Sequence, residues 1–203
     1  MSGCSCESNV FDGMSPAYRR ALVVVIGMNA VMFAVELAGG LIAGSLALVA
    51  DSLDFLADTL TYGLSLAVIG MSVRARATAA LVKGGVLMLT AAWVVVAAAM
   101  RFGEPTVPDG GLMALIALLA MAVNLGAALV LSRWRDGDAN VRSVWLCSRN
   151  DALGNVLVML AGGAVIMSGS PWPDLLVALF LAGLFLHSAT GIIRQALAER
   201  AAG

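Results

Sequence analysis

The chain has 203 residues, of which 61% are hydrophobic and 12% charged, with a formal net charge of -1. That balance excludes a polyanion such as nucleic acid as a partner, and three cysteines are too few for a disulfide-stapled secreted domain. The apolar residues fall in long runs, which excludes a large soluble core and predicts an all-α integral membrane protein.

Residues 1–20 are polar and lack the order of regions of a signal peptide, so they are expected to form a cytoplasmic N-terminal tail. The tail holds Cys4 and Cys6, which read either as part of a solvated tail or as a metal-capturing pair at the cytoplasmic mouth. Six apolar runs follow, at 21–43, 46–71, 77–102, 112–131, 144–167 and 175–193, each about the length that spans a bilayer. The breaks between them, at 43–45, 72–76, 103–111, 132–143 and 168–174, carry the glycines, prolines and charges of turns. Residues 21–193 therefore form one six-helix transmembrane domain, and 194–203 a short cytoplasmic tail too small for a core of its own.

Charge sets the expected orientation. Arg19, Arg20, Arg74, Arg76, Arg133, Arg135, Arg142, Arg194 and Arg200 fall on one side, and only Arg101 on the other. The positive-inside rule puts both termini in the cytoplasm. Trp134, Trp145 and Trp172 near run ends fit an interfacial belt, while Trp93 is expected to pack between helices. His187, the only histidine, is expected to pack or sit at an interface.

The second run carries Asp51, Asp54 and Asp58, which at about 100° per residue lie within an arc of roughly 60°. Asp51 also suits a helix cap near the outer end. A charged side chain at a membrane helix centre costs roughly 2.5–3.5 kcal/mol, so three on one stripe call for a positive partner. In the fifth run Cys147 and Asp151 are four apart and share a face, which Asn155 extends. The second run heads inward and the fifth outward, so Asp54 and Asp58 can meet Cys147 and Asp151 as four ligands of a divalent ion. A thiolate among oxygen donors points to a soft or borderline metal such as Zn²⁺ or Cd²⁺. Cys147 also reads as a small buried hydrophobe.

Glu36 and Asn29 share a face of the first run, and Asn124 lies in the fourth. Together with Asp51 and Asn155 they are candidate supports of the ligands, gate residues, proton carriers or interhelical hydrogen bonds. Lys83 and Arg149, about two turns inside the cytoplasmic ends, read as snorkelling side chains. Asn29 stands 29 residues before Asp58 and Asn124 27 before Asp151, a spacing echo of the kind inverted repeats leave.

The segment from Asn29 to Asp58, NAVMFAVELAGGLIAGSLALVADSLDFLAD, resembles the first two helices of the cation diffusion facilitator, or cation efflux, family. Asn124 and the Cys-Ser-Arg-Asn-Asp stretch at 147–151 fit as well. The resemblance implies export of a divalent metal, commonly zinc, by proton antiport with alternating access, at a site mapping onto Asp54, Asp58, Cys147 and Asp151. The ion is cargo, and no resident cofactor is expected. Cys147 stands where the family usually has histidine. The sequence resembles a short form, ending before the cytoplasmic C-terminal domain usual in the family, and the resemblance also implies a homodimer. The expected location is a bacterial inner membrane. Chemistry supplies a parallel reason for proton exchange, since ligands must lose protons to bind metal and regain them to release it.

Three other classes compete. A small multidrug exporter needs an aromatic-lined cavity, and 6% aromatic residues offer little for one. A membrane metalloenzyme acting on phosphates needs a basic cradle that the apolar runs do not contain. A purely structural subunit leaves the aspartates unexplained.

Overall fold

The computed structural model describes residues 15–67, 73–103, 106–136 and 139–202. Six α-helices account for nearly all of them: α1 (Pro16–Ala43), α2 (Leu46–Ala67), α3 (Val73–Gly103), α4 (Gly110–Leu131), α5 (Ala139–Ser168) and α6 (Trp172–Ala202). A short 3₁₀ turn, Ser132–Trp134, follows α4.

The helices overrun several expected loops. The α1 helix starts at Pro16 because Ser15 accepts a hydrogen bond from the Tyr18 N–H at 3.1 Å and Pro16 needs no donor partner in the first turn. The α5 helix begins inside the stretch expected as a loop at 132–143, and α6 continues to Ala202 through the expected tail. Arginine, glutamate and alanine in those stretches are good helix formers, so the loss of hydrophobicity there marks the end of lipid rather than the end of helix.

Large apolar side chains cover much of the outside of this bundle, and several polar and charged ones are buried among an apolar interior. Ile42, Leu89, Met100, Leu129 and Met167 are among the most exposed large side chains, while Asn29, Glu36, Asp51, Asp58, Asn124, Asn155 and Asp174 are buried. Five of the helices contain stretches long and apolar enough to cross a membrane. The exception is α2: any span-length window of its 22 residues contains Asp51, Asp54 and Asp58. The chain is thus a multi-pass membrane protein, with α2 enclosed by the other helices. Trp93 does not pack inside as expected but is half exposed on α3. Trp134 stacks edge-on against Tyr18 at 5.5 Å, and Trp172 leans on Phe102 at 5.4 Å.

Packing is most extensive between α4 and α5, α3 and α6, and α1 and α2. Small residues permit the close crossings. A Cβ at Gly110 would meet the Gly162 carbonyl at 2.5 Å, and one at Gly162 would meet the Gly110 carbonyl at 2.7 Å, so α4 and α5 touch backbone to backbone.

One end of the bundle is clasped. Gly44 takes a left-handed conformation (φ 68°) to end α1, and Ser45 N–H donates back to Gly40 O at 2.9 Å. The next helix begins at once, and its free N–H groups are satisfied from a distant part of the chain. Asp174, in the first turn of α6, accepts from Ser45 Oγ (2.6 Å), Leu46 N–H (2.9 Å) and Ala47 N–H (3.0 Å). Ser45 Oγ in turn accepts from Leu48 N–H at 3.0 Å. Arg101, near the end of α3, donates to Gly44 O at 2.5 Å and lies 3.8 Å from Asp174. Asp109 N–H, at the start of α4, donates to Ala43 O at 2.9 Å. Three helix turns are therefore tied at the same end, and Asp174 rather than Asp51 caps α2.

Asp174→Ala strands a buried hydroxyl and two buried N–H groups. It is expected to destabilise the bundle by about 3 kcal/mol, read as a lower melting temperature of the detergent-solubilised protein, with Ser45→Ala costing about 1 kcal/mol.

Candidate metal site

The α2 helix directs Asp51, Asp54 and Asp58 into the bundle from successive turns. Asp51 and Asp58 are buried, and Asp54 is partly so. The α5 helix runs alongside and brings the Asp151 carboxyl into hydrogen-bonding reach of both Asp54 and Asp58. Three of the four expected ligands thus face one another across the α2–α5 contact. Cys147 lies on α5 one turn before Asp151, and its side chain falls outside the described residues, as do Cys4 and Cys6. Among the described residues, no group of three His, Cys, Asp or Glu side chains is arranged to hold an ion by itself.

Two groups that the sequence reading did not assign to the site attend these carboxylates. The Tyr62 hydroxyl donates to Asp58 Oδ2 at 2.5 Å, fixing that carboxylate from one turn further along α2. The i,i+4 spacing from Asp58 to Tyr62 was a readable signal. Lys83 on α3 is the positive charge that acts on both Asp54 and Asp58. No sequence pattern connects it to α2. Arg149, by contrast, lies exposed with its guanidinium 5.3 Å from the centre of the Trp145 ring. His187 is exposed on α6.

Beside the acids lies a layer of buried amides and carboxyls. Asn124 Nδ2 donates to Asn155 Oδ1 at 3.0 Å, and Asn155 Nδ2 donates to Asp51 Oδ2 at 2.6 Å. Glu36 on α1 comes within hydrogen-bonding reach of Asp51. Both are acceptors when ionised, and neither Glu36 oxygen has a donor. Asn29 is fully buried, and neither of its amide atoms has a partner among the described residues. The spacing echo between Asn29 and Asn124 therefore does not extend to their hydrogen bonding.

A polytopic helix bundle with carboxyls from two helices gathered inside an apolar shell defines a class of membrane protein with a polar, acidic interior. Comparison with known families narrows it: the cation efflux transmembrane domain matches residues 22–199. The chain belongs to the cation efflux family. It is 28% identical over 198 residues to zinc transporter ZitB of Escherichia coli, covering 89% of this chain and 62% of that one. It shares 28% identity over 121 residues with the cadmium, cobalt and zinc/H(+)-K(+) antiporter of Bacillus subtilis, covering 59% and 39%. With metal cation efflux system protein CzcD of Cupriavidus metallidurans it shares 26% over 186 residues, covering 86% and 58%. The chain spans about two-fifths to three-fifths of the length of these relatives.

Tyr62→Phe removes one hydroxyl and little volume. It is expected to leave the fold intact and weaken Cd²⁺ binding by about 10-fold or more, measured by equilibrium titration of the purified protein.

Proposed function

We propose that this chain forms the transmembrane unit of a metal exporter that carries Zn²⁺ or Cd²⁺ out of the cytoplasm in exchange for protons. The observation that carries the reading is the meeting of Asp54 and Asp58 on α2 with Asp151 on α5 inside an apolar bundle. Lys83 supplies one positive charge to this group, and several carboxylates held together need more. A divalent ion meets that need, with Cys147 as the fourth ligand one turn before Asp151. A thiolate among carboxylates favours zinc or cadmium over magnesium or calcium. The names of the relatives, which include zinc and cadmium transport and proton exchange, support the same reading. So does family membership, which argues for a transporter rather than an enzyme.

Proton exchange follows from the ligands. Carboxylates and a thiolate bind metal only when deprotonated, so loading expels protons and reprotonation promotes release. If the bare, multiply charged site does not reorient while the protonated and metal-loaded sites do, the two flows are coupled. Arginines concentrated on one side support a cytoplasmic location for both termini, in a bacterial inner membrane. The clasped end around Gly44, Asp109 and Asp174 then faces outward. A homodimer is the assembly expected for the family.

Proteoliposomes with an imposed pH gradient test the reading. Zn²⁺ or Cd²⁺ flux is expected to require the gradient and to fall to background in Asp58→Ala. Cys147→His is expected to shift selectivity from Cd²⁺ toward Zn²⁺. Flux indifferent to the gradient removes the antiport, and full flux in Asp58→Ala removes the site.

A further inference from the structure

The transport reading uses Asp54, Asp58, Cys147 and Asp151 and leaves a second pair of carboxyls unexplained. Glu36 and Asp51 come from α1 and α2 near the clasped end. Glu36 is seven residues before the end of α1 and Asp51 five after the start of α2, roughly 10 and 8 Å along their helices at 1.5 Å per residue. Asp54 and Asp58 lie one and two turns further from that end. Glu36 is fully buried and Asp51 is 4% exposed.

The hydrogen bonds around the pair have a direction. Asn124 on α4 donates to Asn155 on α5, and Asn155 in turn donates to one oxygen of the Asp51 carboxylate. Its other side faces Glu36, both of whose oxygens are buried without a donor. The nearby charges do not neutralise them. Asp54 adds a further negative charge toward Glu36, Lys83 is directed at Asp54 and Asp58, and Arg101 is held at Gly44 and Asp174. Two carboxyls close together in an apolar bundle, with neither Glu36 oxygen given a donor, require a positive species between them.

We propose that Glu36 and Asp51 form a second cation station, built from oxygen donors, that accepts the divalent ion from the four-residue site and passes it toward the clasped end. The proposal rests on the transport reading above. An oxygen-only donor set holds zinc or cadmium less tightly than one with a thiolate and accepts harder divalent ions such as Mn²⁺. A weaker station on the outward side suits release, because conduction needs an exit site that does not retain the ion. The Asn124–Asn155 chain is then the device that holds Asp51 in place.

Mn²⁺ and Cd²⁺ binding to the purified full chain in detergent separates the stations. With the tight site filled by Cd²⁺, the native protein is expected to bind one further Mn²⁺ per chain, counted by loss of the free-ion electron paramagnetic resonance signal. Glu36→Gln and Asp51→Asn, which preserve shape, are expected to weaken that Mn²⁺ by at least about tenfold, leave Cd²⁺ affinity within about twofold, and lower maximal Zn²⁺ flux. Melting temperatures close to native confirm that the variants fold. Absence of a second ion in the native protein overturns the proposal and makes a proton the occupant. Loss of Cd²⁺ and Mn²⁺ together in Glu36→Gln also overturns it, by making Glu36 part of the first site. Tight Cd²⁺ binding that survives Asp58→Ala strikes the four-residue site instead and leaves the Mn²⁺ result for Glu36 standing.

Discussion

Negative charge inside an apolar shell is the constraint from which the rest of this protein follows. Glu36, Asp51, Asp54, Asp58 and Asp151 are drawn together from α1, α2 and α5, while the described exterior is largely valine, leucine, isoleucine and methionine. Water cannot reach such groups freely, and unpaired charge there is costly. The bundle meets part of the demand itself, with Lys83 opposite Asp54 and Asp58, a phenol on Asp58 and an amide on Asp51. What remains unmet is what a cation supplies.

Holding the acids in register is a separate problem, solved at the clasped end. Only two residues separate the end of α1 from the start of α2, so its first N–H groups have little local chain to turn to. Asp174 reaches them from α6, Arg101 binds the carbonyl just before them, and Ala43 O receives the start of α4. Four helices are thereby referenced to the point from which α2 counts off Asp51, Asp54 and Asp58. At the α4–α5 crossing, Gly110 and Gly162 bring the backbones into contact, which sets how closely α5 and its Asp151 and Asn155 are carried within the bundle.

The interior is layered along the bundle axis. The clasp comes first, then Glu36 and Asp51 with their amides, then Asp54, Asp58 and Asp151. Such an order gives an ion moving along the bundle a change of ligand chemistry with depth. On the proposed reading, a soft donor near Asp151 and hard donors near Glu36 would make affinity fall toward the clasped end.

The sequence by itself determined the all-helical membrane class, the places where most helices stop and the stripe of aspartates on α2, because these depend on local composition and on a period of 3.6 residues. It also supplied the Asp58–Tyr62 spacing, and the family pattern is written in contiguous residues from Asn29 to Asp58. The cap on α2, the nearness of the Lys83 charge to Asp54 and Asp58 and the direction of the Asn124–Asn155–Asp51 chain were decided only by the tertiary structure. Each joins residues that are far apart in the chain, and the Ser45–Asp174 bond closes a separation of 129 residues. Helix periodicity says which side of a helix a residue occupies. Which neighbour that side meets depends on how six helices pack, and close backbone crossings at glycine and long-range capping settle that together.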